Sequence, residues 1–266
     1  MHPIRRWLNR AGGVLLLGLC IVALWGVIIR LTSEMYPQVQ SIAHAGGRIG
    51  GQIYTNSLAA FNQAYARGFR MIEVDFLKTA DGVVVCGHDW YDFDATPSYQ
   101  QFLQRRTLGP FQSCTFTELL EWLDRHPDVL LISDAKIDVI SINQALHDSL
   151  GVRLLAQAYN VADVRLMHEA GISNIILTLY RAGNRNARLD EISAIAASGI
   201  KIGALTMPAI DALTGAAIFA KSRLEVPVYT HTINACWLSK VFWALGVDAV
   251  YTDDLGPDGC STFNSK

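Results

Sequence analysis

Two acidic side chains stand inside a strongly apolar stretch of the chain, residues 69–90 (FRMIEVDFLKTADGVVVCGHDW). Glu73 and Asp75 are separated by one residue within a predicted strand over residues 70–77, so their side chains point to the same side of that strand. The residues on either side of them are apolar, which indicates that this strand is largely buried. The sequence therefore predicts two carboxylates placed together in a protein interior.

A predicted hairpin brings a histidine close to these two acids in space. The sequence Ala80-Asp81-Gly82 is typical of a hairpin turn and predicts a second strand over residues 83–87. Antiparallel pairing about that turn brings His88 back roughly opposite Glu73. A short piece of chain then gathers two carboxylates and an imidazole at one end of a sheet.

Burial of an ionised carboxylate without a partner destabilises the folded protein by on the order of several kcal/mol. A nearby cation or hydrogen bonds can compensate this cost. One interpretation is a pair neutralised by Arg or Lys from elsewhere in the chain. The other is a divalent metal site, and all-oxygen ligands suit Mg²⁺ or Ca²⁺ better than zinc. We favour the metal site, with one divalent cation.

The chain of 266 residues is 51% hydrophobic and carries a formal charge of −2. This length suits one large domain with a full core. The near-neutral balance gives no basic surface of the kind that binds nucleic acid, so we expect no nucleic-acid partner.

The N-terminal part has the pattern of a membrane anchor. Residues 1–11 carry three arginines, and residues 12–29 contain no charged side chain. A segment of this length can span a bilayer, so we predict a transmembrane helix over residues 12–31 followed by a linker over residues 32–40. The positive-inside rule places residues 1–11 in the cytoplasm and the domain on the periplasmic or extracytoplasmic side of a single-pass inner-membrane protein. A cleaved signal peptide is the alternative.

The chain contains five cysteines, one of them inside the predicted anchor. In an oxidising compartment Cys86, Cys114, Cys236 and Cys260 could form disulfides, but the sequence does not settle their pairing. Buried free thiols are an equally good interpretation.

Strands and helices alternate along the rest of the chain. The predicted parallel strands are residues 41–44, 70–77, 129–133, 152–157, 174–179, 201–206, 226–230 and 247–252. The predicted helices are residues 56–67, 115–124, 140–150, 161–170, 189–197, 210–220 and 235–245. Residues 91–113 are polar and aromatic with little periodicity, and we expect an excursion over the domain.

Eight parallel strands predict an α/β fold of the TIM-type (β/α)8 barrel class over residues 41–258, with strand 83–87 as an extra hairpin strand and residues 259–266 as a tail. An open doubly wound sheet is the alternative, because alternation alone does not show closure. The positions of His44, Glu73 and Asp134 at or near the carboxyl ends of strands favour the barrel, whose catalytic face lies there.

A set of short motifs resembles the glycerophosphodiester phosphodiesterase family, in the superfamily of phosphatidylinositol phospholipase C-like phosphodiesterases. The motifs are His44-Ala45-Gly46, Thr55-Asn56-Ser57, Glu73-Val74-Asp75, Thr79-Ala80-Asp81-Gly82, His88-Asp89, Asp134-Ala135-Lys136 and Thr252-Asp253. Each motif is weak alone, but their order and spacing from about residue 41 to residue 255 are specific.

The resemblance implies roles for individual residues. It implies that Glu73, Asp75 and Asp134 bind a divalent cation, Mg²⁺ or Ca²⁺. It implies that His44 and His88 are the general acid–base pair, and that Lys136 contacts the phosphate of a glycerophosphodiester or phospholipid-derived substrate. In relatives a neighbouring glycerol hydroxyl can attack the phosphate and give a cyclic intermediate.

The sequence departs from the family pattern at two positions, where Ala45 replaces an arginine and Thr55 replaces a glutamate. Arg48 is a candidate substitute for the missing arginine as a phosphate ligand. His231, near another strand end, is a candidate wall of the substrate pocket, although a packed histidine is an equal alternative. The departures suggest a changed substrate or reduced activity.

Three functional hypotheses follow. The first is a membrane-anchored, metal-dependent enzyme that hydrolyses glycerophosphodiesters, or related phospholipid head groups, to glycerol phosphate and an alcohol. The second is a lyase similar to sphingomyelinase D or phospholipase D that gives a cyclic phosphate. The third is a catalytically silent barrel that binds a phosphorylated lipid or envelope polymer.

Overall fold

The computed structural model of the protein describes residues 40–90, 93–106 and 110–261. The predicted cytoplasmic residues 1–11 and the predicted transmembrane helix over residues 12–31 lie outside the described residues, as does nearly all of the linker. Within the described ranges, no helix is long and apolar enough to cross a membrane.

The described residues form a closed barrel of eight parallel strands with one added antiparallel strand. The strands are β1 (Gln40–Ala43), β2 (Met71–Lys78), β3 (Val84–Cys86), β4 (Leu130–Ala135), β5 (Leu154–Ala158), β6 (Ile175–Thr178), β7 (Ala204–Pro208), β8 (Val228–His231) and β9 (Ala249–Thr252). Their order is β1-β9-β8-β7-β6-β5-β4-β2-β3, and β1 also pairs with β2, which closes the ring. The predicted barrel is confirmed, and the open sheet is excluded.

Helices cover the outside of the barrel. They are α1 (Leu58–Ala66), α2 (Tyr99–Arg106), α3 (Phe116–Arg125), α4 (Val139–Leu150), α5 (Val161–Glu169), α6 (Arg185–Ser198), α7 (Ala209–Leu213), α8 (Ala216–Leu224) and α9 (Cys236–Ala244). The helix α2 lies inside the predicted excursion, where no helix was expected. The single helix predicted over residues 210–220 is two helices, because Gly215 between them adopts φ +85°, outside the helical region.

The core has an outer layer and an inner layer. The outer layer lies between the strands and the helices and includes Phe61, Trp122 and Phe242. The inner layer fills the lower part of the barrel with apolar side chains such as Ile42, Ile132 and Ile176. Because side chains alternate along a strand, the next inward positions of β2 and β4 lie higher, towards the carboxyl ends. Those positions are occupied by acids.

Two disulfides tie loops to the barrel. Cys86 at the end of β3 pairs with Cys114, and Cys236 at the start of α9 pairs with Cys260. The Cα atoms of the two pairs lie 5.2 Å and 4.3 Å apart. The structure thus selects one pairing from those that the sequence left open.

Candidate active site

Three carboxylates meet at the carboxyl ends of β2 and β4. Asp75 of β2 is directly opposite Asp134 of β4 in the register, and Glu73 lies one inward position lower. One ligand oxygen from each of these residues lies within 4.8 Å of the others. We refer to Glu73, Asp75 and Asp134 as the acidic triad. All three are buried, with 2%, 0% and 6% of their surface exposed.

The backbone and one amide hold two of these acids in place. The amide N–H of Ala45 donates to Oε2 of Glu73 at 2.7 Å. Asn56 and Asp75 exchange two hydrogen bonds of 2.9 Å, one from the Asn56 side chain to Oδ2 of Asp75 and one from the Asp75 backbone to Oδ1 of Asn56. The side chain of Asp75 is therefore held in a defined orientation by a residue far from it in sequence.

Asp134 accepts hydrogen bonds from two tyrosine hydroxyls. The hydroxyl of Tyr159 contacts Oδ1, and the hydroxyl of Tyr180 lies 3.1 Å and 3.2 Å from the two oxygens. Lys136, which follows on the same side of β4, donates to Oδ2 at 2.5 Å. These contacts stabilise the ionised carboxylate of Asp134.

The ammonium group of Lys136 lies against two of the three carboxylates. Nζ of Lys136 lies 2.8 Å from Oδ1 of Asp75 as well as 2.5 Å from Asp134. Burial, followed by the charge of Asp75, raises the pKa of Glu73 to about 8. The pKa of Asp134 is lowered because its contacts with Lys136 and Tyr159 outweigh the effect of burial.

The charges and donor atoms of the acidic triad fit a divalent cation. Among the described residues, Lys136 is the one cationic side chain in an ion pair with the triad, so negative charge remains uncompensated there. The ligand atoms are all carboxylate oxygens, the type that Mg²⁺ and Ca²⁺ prefer. A divalent cation would compensate this negative charge and so oppose the rise in the pKa of Glu73 that burial and then the charge of Asp75 cause.

His44 stands directly after β1 on one side of the triad. Its Nδ1 lies 2.9 Å from Oδ1 of Asp253, and Oδ2 of Asp253 accepts from Asn234 at 3.0 Å. Burial lowers the pKa of His44, but the hydrogen bond to Asp253 and the charges of Glu73, Asp253 and Asp75 outweigh it and raise the pKa to about 9. Because Asp253 binds Nδ1 of His44, Nε2 of the same ring is available to a substrate.

His88 stands on the other side, on the loop after β3. Its Nδ1 lies 2.7 Å from Oδ2 of Asp89, and about a third of its side chain is exposed. The ring of Tyr54 lies between the two histidines, with its centroid 4.8 Å from that of His44 and 4.3 Å from that of His88. Tyr54 thus sets the separation of the two imidazoles.

His231, at the end of β8, closes the site from a third direction. Its ring packs edge-on against Tyr180 and Tyr251, at centroid distances of 5.3 Å and 5.9 Å. Burial, aided by the nearby His44, lowers the pKa of His231 to about 4, so its ring is neutral. Among the described residues nothing donates to or accepts from its buried Nε2.

These side chains surround one small cavity of about 150 Å³, which we name the rim cavity. It is lined by His44, Tyr54, Glu73, His88, Asp134, Lys136, Gln157, Tyr180, His231, Thr232 and Tyr251. The structure therefore brings six of the eight predicted site residues to its wall, and Asp75 adjoins it through the acidic triad.

Arg48 is placed differently. Its guanidinium binds Asp254, with Nε 2.5 Å from Oδ1 and one terminal nitrogen 3.2 Å from Oδ2, and it is not among the residues that line the rim cavity. Its contact with substrate remains a prediction.

Sequence reasoning gave no role to several residues that shape the site. Tyr54 and Tyr180 had no recognisable signal, because a single tyrosine in a loop has many uses. Asp253 stands in the Thr252-Asp253 motif, and its position directly after the last strand could have identified it as a partner of His44.

The comparisons with known proteins agree with this geometry. The model of the "Glycerophosphoryl diester phosphodiesterase family" matches residues 48–169. That range contains the acidic triad, His88 and Lys136.

Solved structures with the same fold are similar over most of the chain. A glycerophosphodiester phosphodiesterase from Thermotoga maritima is 19% identical, with a TM-score of 0.63, over 82% of this chain and 96% of its own. A putative glycerophosphoryl diester phosphodiesterase from Silicibacter pomeroyi is 20% identical, with a TM-score of 0.65, over 85% and 96%. A phosphodiesterase from Oleispira antarctica, solved with the product sn-glycerol-3-phosphate, is 19% identical, with a TM-score of 0.62, over 83% and 94%. Residues 48–169 thus match the glycerophosphoryl diester phosphodiesterase family, a family of phosphoric diester hydrolases.

Proposed function

We propose that this protein hydrolyses glycerophosphodiesters to glycerol phosphate and an alcohol with the help of one divalent cation. The observation that carries this proposal is the convergence of three buried carboxylates and two histidines on one small cavity at the carboxyl ends of the barrel strands. In this fold, that end of the barrel is where catalytic residues lie.

The acidic triad would hold the cation, either Mg²⁺ or Ca²⁺. When bound, the cation supplies positive charge to the phosphate oxygens of the substrate and so stabilises charge that develops in the transition state. The side chain of Asn56 keeps Asp75 in the orientation that this binding needs. The backbone N–H of Ala45 does the same for Glu73.

His44 and His88 form the acid–base pair. Hydrolysis of a phosphodiester needs one group that removes a proton from the nucleophile and another that protonates the departing alkoxide. Each histidine is oriented by a carboxylate at its Nδ1, Asp253 for His44 and Asp89 for His88. Both Nε2 atoms are left to exchange protons with the substrate.

Lys136 and His231 bind the phosphate from the remaining sides. Lys136 is positively charged and lies at the edge of the acidic triad, where a phosphate oxygen would approach. The unpartnered Nε2 of the neutral His231 can donate a hydrogen bond to a phosphate oxygen if the tautomer carries its proton there. Together they offset the absence of an arginine at position 45.

Glycerol phosphate as the product is supported by a relative. The Oleispira antarctica phosphodiesterase binds sn-glycerol-3-phosphate as its product and shares the barrel over 83% of this chain. We propose the same product for this protein.

The test is hydrolysis of glycerophosphodiesters by the purified chain with added Mg²⁺ or Ca²⁺. We expect the His44→Ala and His88→Ala variants to lose activity by at least about 100-fold, which is typical for removal of a general acid or base. The matched control is His168→Ala, since His168 is exposed on α5. Wild-type rates no higher than those of the two site variants would contradict the proposal and favour the silent barrel.

Product analysis separates hydrolysis from the lyase reaction. We expect glycerol phosphate and free alcohol as the end products. Accumulation of a cyclic phosphate that the enzyme does not open would instead identify the lyase similar to sphingomyelinase D.

We further propose that residues 12–31 anchor the protein in the inner membrane and that the barrel lies on the extracytoplasmic side. The two disulfides support this location, because structural disulfides are typical of oxidising compartments. Protease added to spheroplasts should digest the barrel without permeabilisation of the membrane. Digestion only after permeabilisation would contradict the proposed topology.

A further inference from the structure

A second and larger cavity lies beside the rim cavity. It measures about 430 Å³, and Gly87, Asp89 and Trp90 form part of its wall. His88, between these residues in the chain, lines the rim cavity. Since consecutive Cα atoms are only about 3.8 Å apart, the two cavities adjoin the same short loop. We name this second space the side cavity.

Aromatic rings form much of the wall of the side cavity. Trp90 packs edge-on against Phe93 and Phe102, with centroid distances of 5.7 Å and 6.2 Å. Phe111 contributes from the far end of the excursion. A Cβ atom on Gly50 would lie 2.5 Å from the ring of Phe111, so the loop before Tyr54 presses closely on this wall.

Two arginines of α2 face the same space, and their surroundings differ. Arg106 is bound to Glu118 at 2.9 Å and lies over the ring of Phe102. Arg105 is exposed, lines the cavity, and has no ion pair or hydrogen bond within the described residues. The acid in the wall, Asp89, is paired with His88. Counting only the described residues that line it, the side cavity thus presents one uncompensated positive charge.

The loop that carries these side chains is fixed to the barrel at both ends. Cys86 and Cys114 form a disulfide across the excursion. Phe102, 5% exposed, packs with Leu77 of β2 and Val85 of β3. A wall held in this way is preorganised for a ligand, which lowers the entropic cost of binding.

We propose that the side cavity receives the alcohol part of the substrate and that this alcohol carries an anionic group, a phosphate or a carboxylate, which Arg105 binds. The inference rests on the proposed function. The rim cavity has the volume of about five water molecules and accommodates a phosphate with one small hydroxylated substituent. The remaining substituent extends beyond that cavity, and the side cavity is lined by the neighbours of His88, Gly87 and Asp89.

The charge of the side cavity selects the alcohol. Arg105 repels a quaternary ammonium group such as that of choline. The one acid among the described wall residues, Asp89, is paired with His88. An anionic group gains a charge-assisted hydrogen bond from the guanidinium of Arg105. The aromatic rings cover the short carbon chain that connects this group to the phosphodiester.

The experiment uses four glycerophosphodiesters whose alcohols have the same length and end in a phosphate, a carboxylate, a hydroxyl or a trimethylammonium group. We expect kcat/KM to be highest for the phosphate or carboxylate ending and lowest for the trimethylammonium ending. The relative rates of the two anionic substrates identify which group the site prefers. Rates are compared at low and high salt, because exposed charge interactions are screened.

The variant Arg105→Gln should raise KM for the anionic substrates about tenfold or more, as expected for loss of one hydrogen bond to a charged group. It should leave the hydroxyl-ended substrate within about twofold of wild type. The matched control is Arg165→Gln, since Arg165 is exposed on α5 and outside both cavities. Equal effects of the two variants, or a preference for the trimethylammonium ending, would overturn the inference while the hydrolase stands. No turnover of any of the four substrates would overturn the proposed function as well.

Discussion

The charge on His44 is set by its contact with Asp253. Burial alone would lower the pKa of this histidine, whereas the 2.9 Å hydrogen bond to Asp253 and the nearby acids raise it to about 9. The protonated imidazole therefore stabilises the folded state below pH 6.5, and this contribution is lost as the pH rises through about 9.

The substitution Asp253→Asn removes the partner charge. We expect the pKa of His44 to fall from about 9 towards its ordinary value of 6.5, and the loss of the stabilising contribution to begin at a correspondingly lower pH. Histidine proton resonances followed by NMR across the pH range measure this pKa directly. The control is Asp254→Asn, because Asp254 binds Arg48 and not His44. A His44 pKa that is the same in Asp253→Asn and wild type would contradict this account.

The ammonium group of Lys136 contacts two of the carboxylates that would bind a cation. Its Nζ contacts both Asp75 and Asp134, so it competes electrostatically with a divalent cation for those oxygens. We expect Lys136→Gln to bind Ca²⁺ roughly tenfold more tightly, while kcat falls about 100-fold because a phosphate contact is lost. Without cation the variant should be less stable than wild type, since buried carboxylates lose their counter-charge.

Calorimetric titration with Ca²⁺ and steady-state kinetics test this prediction together. The control is Lys201→Gln, because Lys201 is exposed ahead of β7. Weaker cation binding in Lys136→Gln than in wild type would show that Lys136 supports the cation site and does not compete with it.

At the residue scale, the sequence indicated the acids because Glu73 and Asp75 interrupt an apolar strand. The contacts that orient them were not predictable in the same way. Asn234 reaches Asp253 and Asn56 reaches Asp75 across loops whose course depends on the whole barrel. The neutral state of His231 likewise follows from its burial and not from its neighbours in sequence.

Among the elements, the excursion between β3 and α3 depends most on a covalent link. The disulfide Cys86–Cys114 spans 28 residues of sequence, and a loop of that size gives a stabilisation of about 3–4 kcal/mol in the chain-entropy model. We expect the Cys86→Ser, Cys114→Ser double variant to lose roughly that much free energy of unfolding. Urea denaturation of the two proteins under oxidising conditions measures the difference.

The second disulfide provides the comparison for function. Cys236–Cys260 spans 24 residues and ties the start of α9 to the chain after β9, so its removal should cost a similar free energy of unfolding. Only removal of Cys86–Cys114 should raise KM for substrates whose alcohol is anionic, because the side cavity lies within that loop. An equal rise in KM after removal of either disulfide would contradict this assignment.

Element types along the barrel were predictable because apolar runs alternate regularly with amphipathic ones. The helix α2 was missed because Phe102 is its one buried side chain, which gives no apolar periodicity. The break between α7 and α8 was missed because a single Gly215 within an apolar segment is compatible with a continuous helix.

At the scale of the whole molecule, barrel closure creates the site. β1 pairs with β2 on one side and with β9 on the other. Closure therefore places His44, which follows β1, beside the acids of β2 and beside Asp253 after β9, 209 residues away in sequence. Strand alternation predicted eight parallel strands but could not show closure, because the contact between the first and last strands leaves no local pattern.

The central claim is that the acidic triad binds one divalent cation, and calorimetric titration of the purified protein with Ca²⁺ and with Mg²⁺ tests it most directly. We predict one bound ion per chain for wild type and loss of that binding in Asp75→Asn, whose cation-free fold should be at least as stable because one buried charge is gone. The exposed Asp190→Asn variant on α6 is the control and should bind as wild type does. Equal cation binding by Asp75→Asn and wild type, or no binding by wild type, would contradict the account.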